Sequence, residues 1–300
     1  MGRPVITLED ARRQCKNFLI VICSDNARNY PIMWNLLQNH PIEGAVVCSH
    51  NEYALSRHAD EVLHVYDLLE DAFSKATYAH MVMFRLGKCP RDQAYTLPIE
   101  EQYFSISPFE KMDPNEVFVD CGAFVGDTLE HFVWKRMGTF QKYFAFEPSE
   151  KTCQALKHRV ERLNNEWGLN EDAIIVVPSG IGEGSYITDQ QLDKEEKKMV
   201  SFCLAQHGGI SVCSIDDYFA EQAITTLKAD IEGFEEKMLD GAEKTIRRDH
   251  PKLALCIYHR PEDLFRLPLK VKNFYSRYHF AIRQHSFDYS ETILYAYAEE

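Results

Sequence analysis

The chain has 300 residues, of which 45% are hydrophobic, and its 46 acidic and 33 basic residues give a formal charge of −13 at pH 7. This length and apolar content predict on the order of two packed domains, and the negative charge argues against nucleic acid and anionic membrane surfaces as partners. Because no apolar run reaches the ~20 residues of a spanning helix and the first residues lack a signal-peptide pattern, we expect a cytoplasmic protein without membrane insertion.

The first hundred residues alternate strand and helix patterns. Residues 17–24 and 43–49 are apolar, strand-like runs, and residues 30–40 between them have a helical pattern. A second helical stretch covers about residues 66–86. The order strand, helix, strand predicts a small α/β unit in this part of the chain.

A segment with several prolines separates this unit from the rest of the chain. Residues 87–114 carry four prolines and show little periodicity, which is typical of a linker or a lid between modules. We therefore predict an accessory α/β module at residues 1–100 and a second domain at residues 101–300. The accessory module is expected to shape a substrate pocket or to support a homodimer.

Seven strand-like runs follow residue 114. Helix-length segments lie between most of the first five, which predicts a doubly wound, mostly parallel α/β sheet covered on both faces. The last two are joined by only a few residues, too few for a parallel crossover, so the last strand is expected to be antiparallel to its neighbour. The predicted strands are residues 117–120, 143–146, 173–177, 226–229, 252–258, 278–286 and 291–299.

The first of these strands ends in a glycine turn. The letters VFVDCGAFVGDT place Asp120 at the strand end, Gly122 where a tight bend needs positive φ, and Gly126 where backbone can approach a ligand. Asp127 is the expected N-cap of the following helix, and Thr128 suits its start. The spacing D-x-G-x-x-x-G differs from the dinucleotide fingerprint G-x-G-x-x-G, and an acidic strand end favours a ligand with an ammonium group over a phosphate.

An acidic residue also follows the second strand, in the letters YFAFEP. Glu147 lies some 20 or more residues after the glycine turn, where a carboxylate accepts hydrogen bonds from ribose hydroxyls in nucleoside-binding sheets. The two strand ends together describe a ligand with an amino-acid end and a nucleoside end, which suggests S-adenosylmethionine. For the glycines alone, an ordinary tight turn of an α/β protein is the simpler alternative.

The stretches FVDCGAFVGDT, AFEP, SIDDYF, LKADIEGFEEKMLDGAEKTI and PKLALCIYHRPEDLFRLPL, in this order, resemble the FkbM family of S-adenosylmethionine-dependent methyltransferases over about residues 115–297. The resemblance implies the class I methyltransferase fold, a Rossmann-like sheet of seven strands whose last strand is antiparallel, and O-methylation as the usual chemistry. It places Asp120, Gly122 and Gly126 at the methionine end of the cofactor, Glu147 at the ribose and Asp230 beside the reacting methyl. Further cofactor contacts are expected from Ala123, Asp127, Thr128, Pro148 and Gly180.

A hydroxyl acceptor needs a base, and two predicted strand ends supply candidates. The letters KADIEG contain Asp230 and Glu232, and the letters IYHRPED contain His259. Histidine has the unperturbed pKa best suited to a base near neutral pH, and a carboxylate can serve when burial raises its pKa. His259 and Asp230 are the leading catalytic candidates, and Glu232 is the third. Both residues could instead have purely structural roles. Glu232 would then cap a helix that begins near Gly233, and His259 would be held by hydrogen bonds before a turn.

Other interpretations of these residues stay open. Asp230, Glu232 and His259 could bind a divalent ion, but sequence spacing does not show that they converge, so we expect no metal. The nine cysteines include no C-x-x-C pair, which indicates neither a zinc site nor a disulfide framework.

Two other function classes compete with a methyltransferase. A noncatalytic module that keeps the cofactor fold is one of them, and a nicotinamide-dependent oxidoreductase is disfavoured by the missing third glycine and by the closing hairpin. As the methyl acceptor we expect a small molecule or glycan, by analogy with the family a hydroxyl of a sugar or a related metabolite.

Overall fold

Two strands and four helices make up the first part of the described structure. The computed structural model of the protein describes residues 10, 13, 17–23, 29–39, 42–187, 210–287 and 289–299. β1 and β2 pair in parallel and are separated in sequence by α1. The elements are β1 (Phe18–Ile22), α1 (Asn29–Asn39), β2 (Ala45–Ser49), α2 (His50–Arg57), α3 (Ala59–Leu68) and α4 (Ala72–Arg85).

The single helix predicted over residues 66–86 is wrong in its extent, because two helices occupy this region. Leu69 leaves the helical path and forms a β-bridge with Phe280. The side chain of Asp71 then caps α4 by accepting from the backbone N–H of Ser74 at 2.7 Å. α3 therefore ends before Leu69, and α4 starts anew after the Asp71 cap.

The segment predicted to be a linker contains short turns that are attached to the rest of the protein. Two 3₁₀ turns, Gln93–Tyr95 and Ile99–Glu101, are followed by the one-turn helix α5 (Ser107–Glu110). Between the two turns, the N–H of Leu97 donates to the carbonyl of Gln284 at 2.7 Å. This backbone contact fixes the segment near the sheet.

A seven-stranded sheet forms the centre of the protein and confirms the predicted fold class. Its spatial order is β11-β12-β10-β9-β3-β4-β5, and β12 is antiparallel to both of its neighbours while the remaining pairs are parallel. A smaller sheet has the order β6-β8-β7. The strands after α5 are β3 (Val117–Cys121), β4 (Lys142–Phe146), β5 (Ile174–Val177), β6 (Gly180–Ile181), β7 (Tyr186–Ile187), β8 (Ser211–Cys213), β9 (Thr226–Ala229), β10 (Lys252–Cys256), β11 (His279–Gln284) and β12 (Thr292–Tyr297).

The strand order reverses at β3. The chain continues from β3 to β4 and β5 on one side and later to β9 and β10 on the other. In register, Cys121 at the end of β3 lies beside Phe146 of β4 and Ala229 of β9. The turns after these three strands therefore meet at one crevice, which is where doubly wound sheets bind ligands.

Helices cover both faces of the central sheet. They are α6 (Asp127–Lys135), α7 (Glu150–Trp167), α8 (Ile215–Tyr218), α9 (Glu235–Asp240), α10 (Glu243–Asp249) and α11 (Asp263–Phe274). Successive residues of β3 contribute to opposite faces, with Val117 and Val119 in one hydrophobic cluster and Phe118 in the other. Across the described ranges, no helix combines the length and the apolar character needed to cross a membrane.

The helices before residue 90 share the core of the central sheet. Val65, Tyr78 and Met81 from α3 and α4 are buried in the same hydrophobic cluster as Val119. Ser74 on α4 accepts from the N–H of Ile282 in β11 at 2.9 Å. These contacts join the helices α2, α3 and α4 to the sheet. The domain boundary near residue 100 stays a prediction.

Candidate active site

A cavity of about 770 Å³ opens at the carboxyl ends of β3, β4, β9 and β10. This volume lies within the range of roughly 300–1,000 Å³ that is typical of small-ligand pockets. Eight of the residues predicted from the sequence line the cavity, namely Gly122, Asp127, Thr128, Glu147, Pro148, Gly180, Asp230 and Glu232. The four others, Asp120, Ala123, Gly126 and His259, do not belong to the lining.

The turn after β3 requires glycine at its first bend. Gly122 has φ +85°, and a Cβ at this position would lie 1.9 Å from the backbone oxygen of Asp230. The N–H groups of Gly122 and Ala123 both donate to the carbonyl of Phe146, at 3.0 and 2.9 Å. The turn is therefore fastened to the end of β4 and pressed against the end of β9.

Gly126 is the N-cap of α6, which corrects the prediction that Asp127 has this role. Gly126 has φ +85°, and a Cβ there would lie 2.7 Å from Cδ1 of Leu156 in α7. Because only glycine adopts this left-handed conformation at low cost, the helix begins one residue earlier than predicted. Asp127 and Thr128 stand in the first turn of α6 and face the cavity.

A buried lysine holds Asp120. The Nζ atom of Lys228 lies 2.8 Å from Oδ1 of Asp120 and donates to the carbonyl of Gly122 at 2.9 Å, while the Tyr143 hydroxyl donates to Oδ2 of Asp120 at 2.6 Å. Burial lowers the pKa of Lys228, but the charges of Asp120 and Asp230 outweigh it and hold that pKa above its usual value. Asp120 thus fixes the glycine turn through Lys228, and its contact with a bound cofactor stays a prediction.

Glu147 presents a prearranged carboxylate at the end of β4. Its Oε2 accepts from the N–H of Phe124 at 3.0 Å, and its Oε1 accepts from the N–H of Ser149 at 2.8 Å and from the Thr152 hydroxyl at 2.7 Å. Burial raises the pKa of Glu147, against the opposing effect of these hydrogen bonds. The donors fix the orientation of the carboxylate, and Oε2, which accepts only one of these bonds, can accept a further bond from a ligand.

An apolar wall adjoins Pro148. Gly180 stands close enough that a Cβ there would lie 3.8 Å from Cβ of Pro148, and the short strands β6, β7 and β8 continue the wall. Its apolar side chains are Phe146, Ile181, Ile210 and Val212, with Tyr186 beside them. Only Pro148 and Gly180 were predicted here, because strands of two or three residues carry no readable alternation.

Asp230 accepts hydrogen bonds from two tyrosine hydroxyls at the other side of the cavity. Tyr103 donates to Oδ2 at 3.1 Å and Tyr258 donates to Oδ1 at 3.3 Å. Burial raises the pKa of both tyrosines, and the nearby Cys256 and Asp230 add to this effect, so both remain protonated donors at neutral pH. Tyr103 was missed because it belongs to the aperiodic segment before β3 and meets Asp230 only in the folded chain.

His259 lies beside Asp230 but outside the cavity lining, and its side chain is only 8% exposed. Its Nε2 is 3.4 Å from Oδ1 of Asp230, and its Nδ1 is 3.1 Å from Oε1 of Glu235. Burial lowers the pKa of His259, but the contact with Glu235 and the charges of Asp230 and Glu232 raise it to about 9. Glu235, which is fully buried, was also missed by sequence reasoning.

Glu232 does not have the helix-capping role that was considered as its structural alternative. Its side chain is 82% exposed, with Oε2 3.7 Å from Nε2 of His259, and its φ is +57°. α9 begins at Glu235 with Phe234 as its N-cap, so the alternative that Glu232 caps this helix is wrong. Glu232 instead stands at the rim of the cavity.

Carboxylates dominate the charge of the cavity. Its acidic lining residues are Asp127, Glu147, Asp230, Glu232 and Glu291, and within the described ranges Lys228 is the single lysine or arginine in the lining. The charge of Lys228 is compensated by Asp120. The cavity therefore suits a ligand with hydroxyl or ammonium groups better than a phosphate, and it can accept a proton.

A family model described as the methyltransferase FkbM domain matches residues 120–289, more than half of the chain. The chain belongs to the FkbM methyltransferase family. The motifs that carry the resemblance extend over the matched region, and the family is one of methyl-transferring enzymes. No curated protein sequence matches the chain.

The chain was also compared with solved structures of methyltransferases. The crystal structure of methyltransferase FkbM from Methylobacillus flagellatus KT aligns over 93% of this chain and 73% of its own, with 23% identity and a TM-score of 0.70. An rRNA methylase from Streptococcus thermophilus aligns over 63% of this chain and 90% of its own, with 15% identity and a TM-score of 0.41. The first of these likenesses supports the class I methyltransferase fold.

Proposed function

We propose that this FkbM-family protein transfers a methyl group from S-adenosylmethionine to a hydroxyl of a sugar, a glycan or a related small metabolite. The observation that carries the proposal is that Glu147 and Asp230 face the same cavity at the strand-order switch. One carboxylate suits a nucleoside, and the other would take up the proton of an acceptor hydroxyl in the same cavity.

The residues present fit S-adenosylmethionine. Glu147 would accept a hydrogen bond from a ribose hydroxyl at Oε2, because its carboxylate is already oriented by three donors. The apolar wall next to Pro148 and Gly180 offers a surface for the adenine ring. Gly122, Asp127 and Thr128, on the turn after β3, would meet the methionine end.

When bound, S-adenosylmethionine supplies an electrophilic methyl group on a sulfonium for an in-line displacement. The chain must then align the acceptor hydroxyl and take up its proton. Asp230 is the base in this proposal because it lines the cavity, whereas His259 does not. Tyr103 and Tyr258 hold the Asp230 carboxylate in place through their hydroxyls.

Methyl transfer can be measured with methyl-labelled S-adenosylmethionine and a panel of sugars, glycans and hydroxylated metabolites. For an acceptor that the native protein methylates, we expect Asp230→Asn to lower kcat by ~10²–10⁴, the usual contribution of a general base. Binding of S-adenosylhomocysteine should persist in this variant. Asp240→Asn, an exposed residue paired with Lys270, is the control and should behave as the native protein does.

Two results would contradict this proposal in different ways. If the native protein binds S-adenosylhomocysteine but labels no member of the panel, the noncatalytic binding module becomes the better account. If Asp230→Asn turns over as fast as the native protein, Asp230 is not the base.

A further inference from the structure

Three side chains converge beside the cavity, at the ends of β9 and β10. A carboxylate oxygen of Asp230, a carboxylate oxygen of Glu235 and a ring nitrogen of His259 all lie within 4.8 Å of one another. The closest approaches are 3.1 Å between Nδ1 of His259 and Glu235, and 3.4 Å between Nε2 and Asp230. An imidazole binds an ion through one ring nitrogen, so only one of these two approaches can belong to a given coordination shell. Ligands bonded to a divalent ion at about 2.1 Å lie roughly 3 Å apart as neighbours and roughly 4.2 Å apart when opposite in an octahedral site, and a set of three atoms within 4.8 Å is close to that size.

The cluster also contains buried polar atoms without hydrogen-bond partners. Oε2 of Glu235 has none among the described residues, although the side chain is fully buried. The carboxylates near the two ring nitrogens of His259 lie off the hydrogen-bond directions, so neither nitrogen is hydrogen-bonded within the described part of the chain. Buried polar atoms in native proteins nearly always have a partner, and a cation would supply one here.

The cluster also carries an excess of negative charge. Asp230, Glu232 and Glu235 surround a single imidazole with three carboxylates. The ammonium group of Lys228 is held by Asp120 at 2.8 Å. Carboxylates that are removed from water require a compensating positive charge, which either a protonated His259 or a bound ion can provide.

We propose that Asp230, Glu235 and His259 bind a divalent cation of the Mn²⁺ or Mg²⁺ class, with Glu232 as a further carboxylate at the open side. Oxygen ligands in the majority with one imidazole suit these ions, and no thiolate that would favour zinc belongs to the cluster. Glu235 replaces Glu232 in the ligand set that the sequence alone suggests, since it is buried against His259.

The position of the ion gives it a role in the reaction. Asp230 both belongs to the cluster and lines the cavity. An open coordination position there would take the oxygen of the acceptor hydroxyl and lower its pKa. This role rests on the proposed function, whereas ion binding itself does not.

Calorimetric titration of the chelator-treated full-length protein with MnCl₂ tests the proposal. We expect one saturable site per chain, competition by Mg²⁺, and binding weakened at least 10-fold in Glu235→Gln and in Asp230→Asn. Glu236→Gln is the matched control, because Glu236 follows Glu235 on the same helix, is partly exposed and pairs with Arg266. Its affinity for Mn²⁺ should equal that of the native protein.

The proposal is overturned if the native protein shows no saturable Mn²⁺ binding, if both cluster variants bind as tightly as the native protein, or if Glu236→Gln loses as much affinity as they do. Circular dichroism checks folding, and if Glu235→Gln fails to fold, the partly exposed Asp230 carries the comparison. A parallel titration with S-adenosylhomocysteine separates the two proposals. If the native protein binds S-adenosylhomocysteine but not Mn²⁺, the ion site alone is refuted. If it binds Mn²⁺ but not S-adenosylhomocysteine, the ion site is supported and the proposed function is refuted.

Discussion

Glu116 forms the centre of a buried charge network on the side of the sheet away from the cavity. Arg136 donates to it from Nε at 2.5 Å, and Lys252 and Thr226 contact its Oε1 at 3.0 and 2.7 Å. Glu116 precedes β3, Thr226 begins β9 and Lys252 begins β10. The network therefore ties the amino ends of three neighbouring strands to the end of α6, where Arg136 lies.

Glu116→Gln should lower the free energy of unfolding by about 3–5 kcal/mol at neutral pH, because it leaves the buried charge of Arg136 without its partner. Urea denaturation followed by circular dichroism measures this change. Glu130→Gln is the control, since Glu130 pairs with Arg162 at the surface and such pairs contribute only ~0–1 kcal/mol. Equal losses in the two variants would contradict the account.

The effect of Glu116→Gln on the free energy of unfolding should depend on pH. Burial raises the pKa of Glu116, but Arg136 and Lys252 outweigh it and hold that pKa below its usual value. A carboxyl whose folded pKa is lowered stabilises the native state above its unfolded pKa of ~4.3, and this contribution is lost as the pH falls through the folded pKa. The stability difference between the native protein and Glu116→Gln should therefore shrink on acidification, and a constant difference would be the contrary result.

At the scale of elements, the glycine turn links the ends of β3, β4 and β9. Gly122 donates its N–H to Phe146 and leaves no room for a Cβ against the backbone of Asp230. The turn therefore sets the distance between the two sides of the cavity.

Gly122→Ala should destabilise the protein by more than ~3 kcal/mol, because it adds a backbone clash to the strain of positive φ. Gly168→Ala isolates the strain, since Gly168 ends α7 with φ +61° and a Cβ there would meet open space. This control should lose only ~1 kcal/mol. Urea midpoints compare the two variants, and similar losses would show that the close approach to Asp230 has no energetic weight.

The elements of the central sheet could be predicted because each strand is a buried apolar run. Val117 to Cys121, for example, is buried at every position, so the run itself marks the strand. The boundaries of the helices were harder to predict from the sequence. The break between α3 and α4 depends on Leu69 bridging Phe280, more than 200 residues away in sequence, and no local pattern encodes that contact.

The same limit applies to the candidate site. Glu147 and Asp230 follow recognisable strands, so the fold predicts that they share one edge of the sheet. Tyr103 and Glu235 have no such signal, since the first comes from an aperiodic segment and the second is one of several acidic residues in a helical stretch. The pairing of Asp120 with Lys228 was also beyond the sequence, because it joins two strands across 108 residues.

At the scale of the whole molecule, the helices before residue 90 and the central sheet share one hydrophobic cluster. Val65, Tyr78 and Met81 are at most 1% exposed in it. β1 and β2 differ, because Leu19 and Val46 on these strands are exposed. We therefore expect β1 and β2 to contribute less to the stability of the protein than the helices that share the core of the sheet.

Deletion of residues 1–48 should preserve cooperative unfolding, because it removes β1 and most of β2 but keeps Ser49, which caps α2. Deletion of residues 1–100 should abolish it, because it also uncovers the cluster around Val65 and Tyr78. Thermal unfolding of the two truncated proteins makes the comparison. If the protein that lacks residues 1–100 unfolds cooperatively, an independent domain that begins near residue 101 is favoured instead.

Calorimetric titration with S-adenosylhomocysteine shows directly whether the cavity between Glu147 and Asp230 is a cofactor site. We expect saturable binding to the native protein and a loss of roughly 1–3 kcal/mol, or about 5- to 150-fold in Kd, in Glu147→Ala, because a charge-assisted hydrogen bond is removed. Glu150→Gln, on the following helix, should bind as the native protein does. If the native protein does not bind S-adenosylhomocysteine, or if Glu147→Ala binds it equally well, the cavity is not the cofactor site proposed here.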